Sequence, residues 1–234
     1  MSDLASRLRT KVRLRTRLQK YWAARRPRRL IVNAFHRLYY DLEGETWGNT
    51  LWLGTGAWKS PFDLWIYQEI LYEVKPDLII ETGTWRGGSA LFLASMCDLM
   101  NRGRIVTIDV EEQPGRPQHQ RITYLLGSST DPEIVQRVQS SIGKGDRVLV
   151  ILDSDHSKEH VLRELAIYSD LATPGSYVIV EDSNVNGHPV FRSHGPGPME
   201  AIREFLRKDQ RFHTDRTREK FMLTFNPNGF LRKA

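Results

Sequence analysis

A chain of 234 residues with 40% hydrophobic content can close one α/β domain with a few dozen residues to spare, and is short for two. A single cysteine, Cys97, excludes an internal disulfide, and no apolar run reaches the ~20 residues needed to span a bilayer or forms a signal-peptide core, so a cytoplasmic setting is expected. The net charge of +6 is unevenly placed: residues 1–30 hold eleven Lys or Arg and one Asp, a net of +10, which leaves −4 for residues 31–234.

Leu8, Val12, Leu14, Leu18 and Trp22 recur at roughly helical spacing among arginines, which predicts a basic amphipathic helix ended by Arg26-Pro27. Residues 1–29 are therefore expected to be an arm, packed in a homo-oligomer or laid peripherally on an anionic membrane surface. A transit peptide or a nucleic-acid contact fits the same charge, although nucleic acid is not the expected partner. Residues 30–76 read as an entry segment and a first helix. Between 28 and 58, Trp47, Trp52 and Trp58 alternate with Gly44, Gly48, Gly54 and Gly56, a composition that suits an irregular lid. Ser60-Pro61 then starts a helix with Ser60 as N-cap, Leu64, Ile66, Tyr67, Ile70 and Leu71 inward, and Pro76 as its stop.

Residues 77–234 alternate strands and helices. Strands are expected over 78–80, 104–108, 122–126, 148–152 and 176–180, and helices over 87–100, 131–142, 157–171 and 199–206. Continuous apolar strands separated by helices predict a parallel sheet covered on both faces. Cys97 falls in the apolar run 90–97 and reads as a small core residue. Residues 211–213 and 221–225 are expected to form a closing antiparallel pair.

Ligands of open parallel sheets bind beyond the carboxyl ends of the strands. After the first strand stands Glu81-Thr82-Gly83-Thr84-Trp85-Arg86-Gly87-Gly88-Ser89. It is neither the dinucleotide fingerprint nor a P-loop, and its acid-x-Gly-x-x-x-Gly form is typical of methyl-donor folds. Glu81, Gly83, Thr84, Gly87 and Ser89 are the expected donor-binding residues; the alternative is a glycine turn that serves helix–sheet packing. After the second strand, Asp109 can accept from two ribose hydroxyls. After the third, Ser128 or Ser129 can meet an adenine edge, with Thr130 or Asp131 capping the next helix. The fourth and fifth strands end in Asp153-Ser154-Asp155-His156-Ser157 and Glu181-Asp182-Ser183-Asn184. Four carboxylates delivered to one cleft repel one another, and a hard divalent cation relieves that, with Mg²⁺, Ca²⁺ or Mn²⁺ suited to oxygen ligands. Asp153, Asp155, Glu181 and Asp182 are thus expected at a metal, the alternative being caps and surface acids. His156 beside them is a candidate general base or a structural histidine.

Together with Lys59-Ser60-Pro61-Phe62-Asp63, Tyr67-Gln68-Glu69, and Thr173-Pro174-Gly175-Ser176-Tyr177 running into Glu181 to Pro189, these motifs resemble the cephalosporin hydroxylase and rhamnosyl O-methyltransferase family over roughly residues 40–230. The resemblance implies a Rossmann-like class I methyltransferase fold: a mostly parallel seven-stranded sheet whose last strand is antiparallel, binding S-adenosylmethionine and Mg²⁺. It implies that Glu181, Asp182 and an Asp after strand four hold the metal, with Asp153 preferred to Asp155. The expected reaction is methyl transfer to a hydroxyl of a small molecule, a sugar or a glycosylated metabolite, with Asp153 and His156 at the reacting centre, and the segments 44–58 and 184–198 closing over it. Two other readings stand beside it. One is a non-haem-iron hydroxylase drawing on His156, His188 and His194; the other is a non-catalytic domain that uses its arm to bind a membrane or nucleic acid.

Overall fold

The computed structural model describes residues 27–234. The predicted arm helix over 1–26 lies outside the described residues. Pro27 is already helical, and α1 runs over 27–41. This corrects the irregular lid expected from residue 28. No glycine interrupts the chain before Gly44, and Ile31, Phe35 and Leu38 keep a helical spacing, so the breaker-rich stretch begins only after α1. Two 3₁₀ turns follow, Glu43–Glu45 and Trp47–Asn49, then a hairpin of β1 (Leu51–Trp52) and β2 (Thr55–Gly56). The breaker-rich stretch is therefore short, with its backbone hydrogen bonds closed locally.

The remaining elements are α2 (Pro61–Val74), β3 (Leu78–Thr82), α3 (Gly88–Leu99), β4 (Arg104–Asp109), β5 (Ile122–Leu126), α4 (Pro132–Ser140), β6 (Val148–Leu152), α5 (Lys158–Tyr168), β7 (Tyr177–Val180), α6 (Pro198–Lys208), β8 (Phe212–Thr214) and β9 (Phe230–Lys233). The seven-stranded sheet has the order β5-β4-β3-β6-β7-β9-β8. Strands β3 to β7 are parallel, and β9 runs antiparallel to both of its neighbours. The fold class read from the sequence is the one observed. Pro61 opens α2 behind Ser60, and Asp131 caps α4 by accepting from the N–H groups of Glu133 and Ile134.

One strand differs. Phe221–Phe225 is not the partner of β8; that role belongs to β9, from Phe230. The apolar 221–225 stretch instead crosses the strand ends, where Leu223 and Phe225 are buried. Its backbone is satisfied by side chains, as when the Phe225 N–H donates to Asp63 Oδ2 (2.8 Å). In β9, Lys233 donates its ammonium to the carbonyls of Ser169 and Ala172, which lets its stem be buried.

Alternation along the strands divides the core. Leu78 and Ile80 of β3 join Val106, Val150, Leu165 and Ile202 on one face, under α4, α5 and α6. Ile79 joins Ile105, Ile151, Phe230 and the inward residues of α2 and α3 on the other, Cys97 among them. Each such burial contributes about 1.5–3 kcal/mol. Among the described residues no helix is long and apolar enough to cross a membrane.

α1 is held to this core through His36, which is 4% exposed and stacks on Phe225 with ring planes 4° apart. The Asn184 amide donates to His36 Nε2 (3.0 Å), so the ring is neutral in this contact. Burial, with Arg37 adding to it, pulls the His36 pKa down to about 4. A histidine with a depressed folded pKa binds its proton more readily when released, so its contribution is complete above the unfolded pKa of ~6.5 and falls as pH drops toward 4. At ~1.4 kcal/mol per unit, up to about 3 kcal/mol of α1 docking is expected to disappear over that window. Amide exchange across 27–41 should accelerate between pH 7 and pH 5 in the wild type, beyond the intrinsic change. It should do so much less in His36→Phe, and equal acceleration in both would refute the assignment.

Candidate active site

Register brings four strand ends flush. Thr82 pairs with Ile108 on one side and with Leu152 on the other, and Leu152 pairs with Val180. Gly83, Asp109, Asp153 and Glu181 therefore emerge side by side or one residue apart, at the point between β3 and β6 where the chain reverses its direction across the sheet. A cleft of about 570 Å³ opens there.

Its first wall is the glycine turn. Gly83 has φ +84°, and a Cβ on it would stand 1.8 Å from the Asp153 carbonyl oxygen. Gly87 (φ +81°) is the residue before α3, and a Cβ on Gly88 would stand 2.2 Å from the Gly56 carbonyl oxygen. Glu81 is fully buried, and burial raises its pKa. It accepts from Thr107 Oγ1 (2.7 Å), which in turn accepts from Thr84 (2.7 Å). Glu81 thus organises the floor, while Gly83, Thr84 and Ser89 line the cleft itself. Asp109 also lines it, with Oδ2 accepting from the Trp85 N–H (2.6 Å), Oδ1 from the Glu111 N–H (3.0 Å), and Arg116 3.4 Å away. A carboxylate has about four lone-pair sites, so two remain for a ligand. Ser128 faces the cleft. Ser129 is tied back, donating to Glu164 (2.6 Å) beside His160 (3.2 Å).

At the other end is the acidic cluster, and here a cation of the chain itself is present. Lys59, 3% exposed, places its ammonium on Asp153 Oδ2 and 2.6 Å from Glu181 Oε1. Burial opposes that charge, but Asp153, Glu181 and Glu81 outweigh it and hold the Lys59 pKa above the usual lysine range. Glu181 also accepts from the Tyr67 hydroxyl (2.6 Å), which accepts from Asn226 (3.1 Å). Burial, with the charge of Asp153 adding and Lys59 opposing, pushes Glu181 up to about 7. Asp63 below it accepts from Thr224 and from the Phe225 N–H, and burial raises it to about 7 as well. Asp182 sits at φ +51°, its N–H donating to Asn226 Oδ1 (3.1 Å), and its carboxylate is 3.1 Å from His156 Nε2.

Ligand atoms of Asp153, His156 and Asp182 can all lie within 4.8 Å of one another, the one metal-capable group among the described residues. Glu181 is adjacent and occupied by Lys59 and Tyr67. Asp155 turns to the N-terminus of α5, where it accepts from the Ser157 N–H (2.7 Å), a bond that lowers its pKa. His188 lies against Glu200 (2.8 Å) and His194 against its own loop, so the group contains one histidine and two carboxylates, not the two-His, one-carboxylate set of an iron oxygenase.

The rest of the wall is aromatic. Tyr40, Trp47, Trp58 and Trp85 border the cleft, and Trp58 stacks on Trp85 with centroids 4.0 Å apart. Of the 184–198 loop expected to close over the site, Gly197 lies against the His156 carbonyl. The sequence marked Lys59, Asp63 and Tyr67 only as motif residues, Tyr67 also as an inward residue of α2, and gave none of them, nor Tyr40 or Asn226, a part in the site. A lysine just before a helix that packs over an acid-rich sheet end was the available signal for the first.

The sequence profile described as rhamnosyl O-methyltransferase/CmcI matches residues 44–234. Rhamnosyl O-methyltransferase of Mycobacterium bovis (strain BCG / Pasteur 1173P2) is 38% identical over 214 residues, 88% of this chain and 86% of that protein. The protein of the same name from Mycobacterium leprae (strain TN) is 39% identical over 214 residues, 88% of this chain and 92% of its own length. Among solved structures, CmcI without ligand superposes with a TM-score of 0.63 at 20% identity, over 79% of this chain and 76% of that one. CmcI with Mg and SAM does so with a TM-score of 0.59 at 21% identity over the same shares. At that identity the structures show a shared fold. With the family profile covering every strand of the sheet and the relatives matched over most of their length, the chain belongs to the rhamnosyl O-methyltransferase/CmcI family of class I O-methyltransferases.

Proposed function

We propose that this protein transfers the methyl group of S-adenosylmethionine to a hydroxyl of a sugar, a rhamnosyl unit or a related deoxyhexose, in a Mg²⁺-dependent reaction. The observation that carries this reading is the meeting of Asp153, His156 and Asp182 at one end of a cleft whose other end is the glycine turn and Asp109.

The residues fit both groups. The cleft has the volume of a small-molecule site and offers backbone at Gly83, a carboxylate with spare lone pairs at Asp109 and, at its border, the Ser128 hydroxyl, which also accepts from the Thr130 N–H. Asp153 and Asp182 would hold the metal, since Mg²⁺ needs only one or two carboxylates and keeps water for its other positions. When bound, Mg²⁺ polarises a substrate oxygen and lowers the pKa of its hydroxyl.

The chain's own residues do the rest. Thr84 and the turn around Gly83 seat the methionine portion, Asp109 accepts from the ribose hydroxyls, and Ser128 meets the adenine edge. Asp182, its carboxylate 3.1 Å from His156 Nε2, orients the ring, and His156 takes the hydroxyl proton. Trp47 and Trp58 exclude water and flank the acceptor.

Calorimetry with S-adenosylmethionine tests the donor site. Asp109→Ala is expected to weaken binding by at least ~10-fold, about 1.4 kcal/mol, by loss of charge-assisted hydrogen bonds. Transfer of labelled methyl to a rhamnoside should need Mg²⁺ and vanish in Asp182→Asn while donor binding persists. Unchanged donor affinity in Asp109→Ala, or turnover undiminished in EDTA, would sink the corresponding half of the reading.

A further inference from the structure

α1 turns an apolar side away from the protein. Leu30, Ile31, Phe35 and Leu38 are between 49% and 71% exposed, and Leu42, one residue past the helix end, is 38% exposed. At ~100° per residue, Ile31, Phe35, Leu38 and Leu42 fall within an arc of about 60°, and His36 and Tyr40, which face the core, fall on the other side. An isolated exposed leucine needs no explanation, but a continuous stripe along one helix, opposite the stripe that anchors it, does. Charge along the stripe is polarised, with exposed arginines at its start and exposed Asp41, Glu43 and Glu45 around Leu42 at its end. Arg28 and Arg29 are exposed on the first turn of α1, and residues 1–30 carry a net +10.

We propose that this face of α1 docks the protein on an anionic lipid surface, the stripe entering the boundary between headgroups and chains and the arginines contacting the headgroups. A helix lying in the interface buries its apolar face only ~5–10 Å deep, which a single stripe satisfies. Anionic lipid also supplies the complementary charge, at about 1 kcal/mol per basic residue near the surface.

Vesicle co-sedimentation of the full chain tests this, with phosphatidylcholine alone and with about 30% phosphatidylglycerol, at physiological salt and at ~0.5 M NaCl. The wild type is expected to bind the anionic vesicles and to lose most of that binding in high salt. The variant Phe35→Ser/Leu38→Ser, which leaves the charge unchanged, should bind at least ~10-fold more weakly. Both positions are exposed, and an unchanged melting temperature and S-adenosylmethionine affinity in the variant would show that the fold and the donor site are intact, so this test stands or falls apart from the methyl-transfer reading. Three results would overturn the proposal: no binding of the wild type to either vesicle, equal binding by wild type and variant, or a lipid-free dimer that the variant dissociates, which would make a second copy the occupant.

Discussion

Lys59→Met is expected to destabilise the protein by about 3–5 kcal/mol, the cost of removing one partner from a buried ion pair. The reason is local. The Lys59 ammonium bridges Asp153 and Glu181, with Glu81 also close enough to stabilise its charge, and methionine fills much of the same volume without any charge. Glu181 then keeps the Tyr67 hydroxyl and no cation, while Asp153 and Asp182 remain near it. Denaturant unfolding measures the loss. Two further readings separate the electrostatic cause from a packing defect. Adding Asp153→Asn to Lys59→Met should recover part of the loss, because the uncompensated charge is removed with its partner. Millimolar Mg²⁺ should raise the stability of Lys59→Met more than that of the wild type, since a bound cation stabilises whichever native state needs its charge more. A Lys59→Met protein as stable as the wild type, or one that Mg²⁺ and the second substitution leave unmoved, would show that Lys59 is not the counter-ion of the cluster.

Lys59 also marks where reading the sequence stops. The four carboxylates were legible because each follows an apolar strand, and a parallel sheet delivers strand ends to one place. From this a metal follows as a neutralising charge. The sequence does not say that a lysine 94 positions away enters the same cluster, because that depends on how α2 crosses the sheet. The separate fates of the four carboxylates were equally hidden. Asp155 lies two residues from Asp153 and both border the cleft, yet Asp155 accepts from the Ser157 N–H while Asp153 meets Lys59, a distinction made by the turn after β6. The five parallel strands were legible nearly to the residue, since continuous apolar runs between helices admit few arrangements. The two errors have separate causes. Residues 28–41 lacked the strand–helix alternation that organised the rest, and Phe221–Phe225 was apolar for a different purpose than pairing. Its aromatic ring at 225 stacks under His36, and its backbone serves Asp63.

Gly83→Ala is expected to be the most damaging methyl group that can be added to this site. Two costs combine. At φ +84° an L-residue pays about 1–2 kcal/mol for the left-handed backbone. Beyond that, the new Cβ would lie 1.8 Å from the carbonyl oxygen of Asp153 and 2.6 Å from its carbonyl carbon, both backbone atoms that no rotamer change can move aside. Relief requires the ends of β3 and β6 to part, against the pairing of Thr82 with Leu152 and the bond from the Asp153 N–H to the Thr82 carbonyl (3.1 Å). Overpacking of this kind costs about 1–3 kcal/mol more. Gly115 supplies the control. Its φ is +80°, nearly the same, but nothing lies within 4 Å of where its Cβ would be, so Gly115→Ala should show the backbone cost alone. The difference in unfolding free energy between the two variants isolates the steric part. Because parting the strands also displaces Asp153, Gly83→Ala should lose donor binding and metal response together, while Gly115→Ala keeps both. If the two alanine variants were equally stable and equally able to bind S-adenosylmethionine, the close approach of β3 to β6 would not be what shapes this end of the cleft.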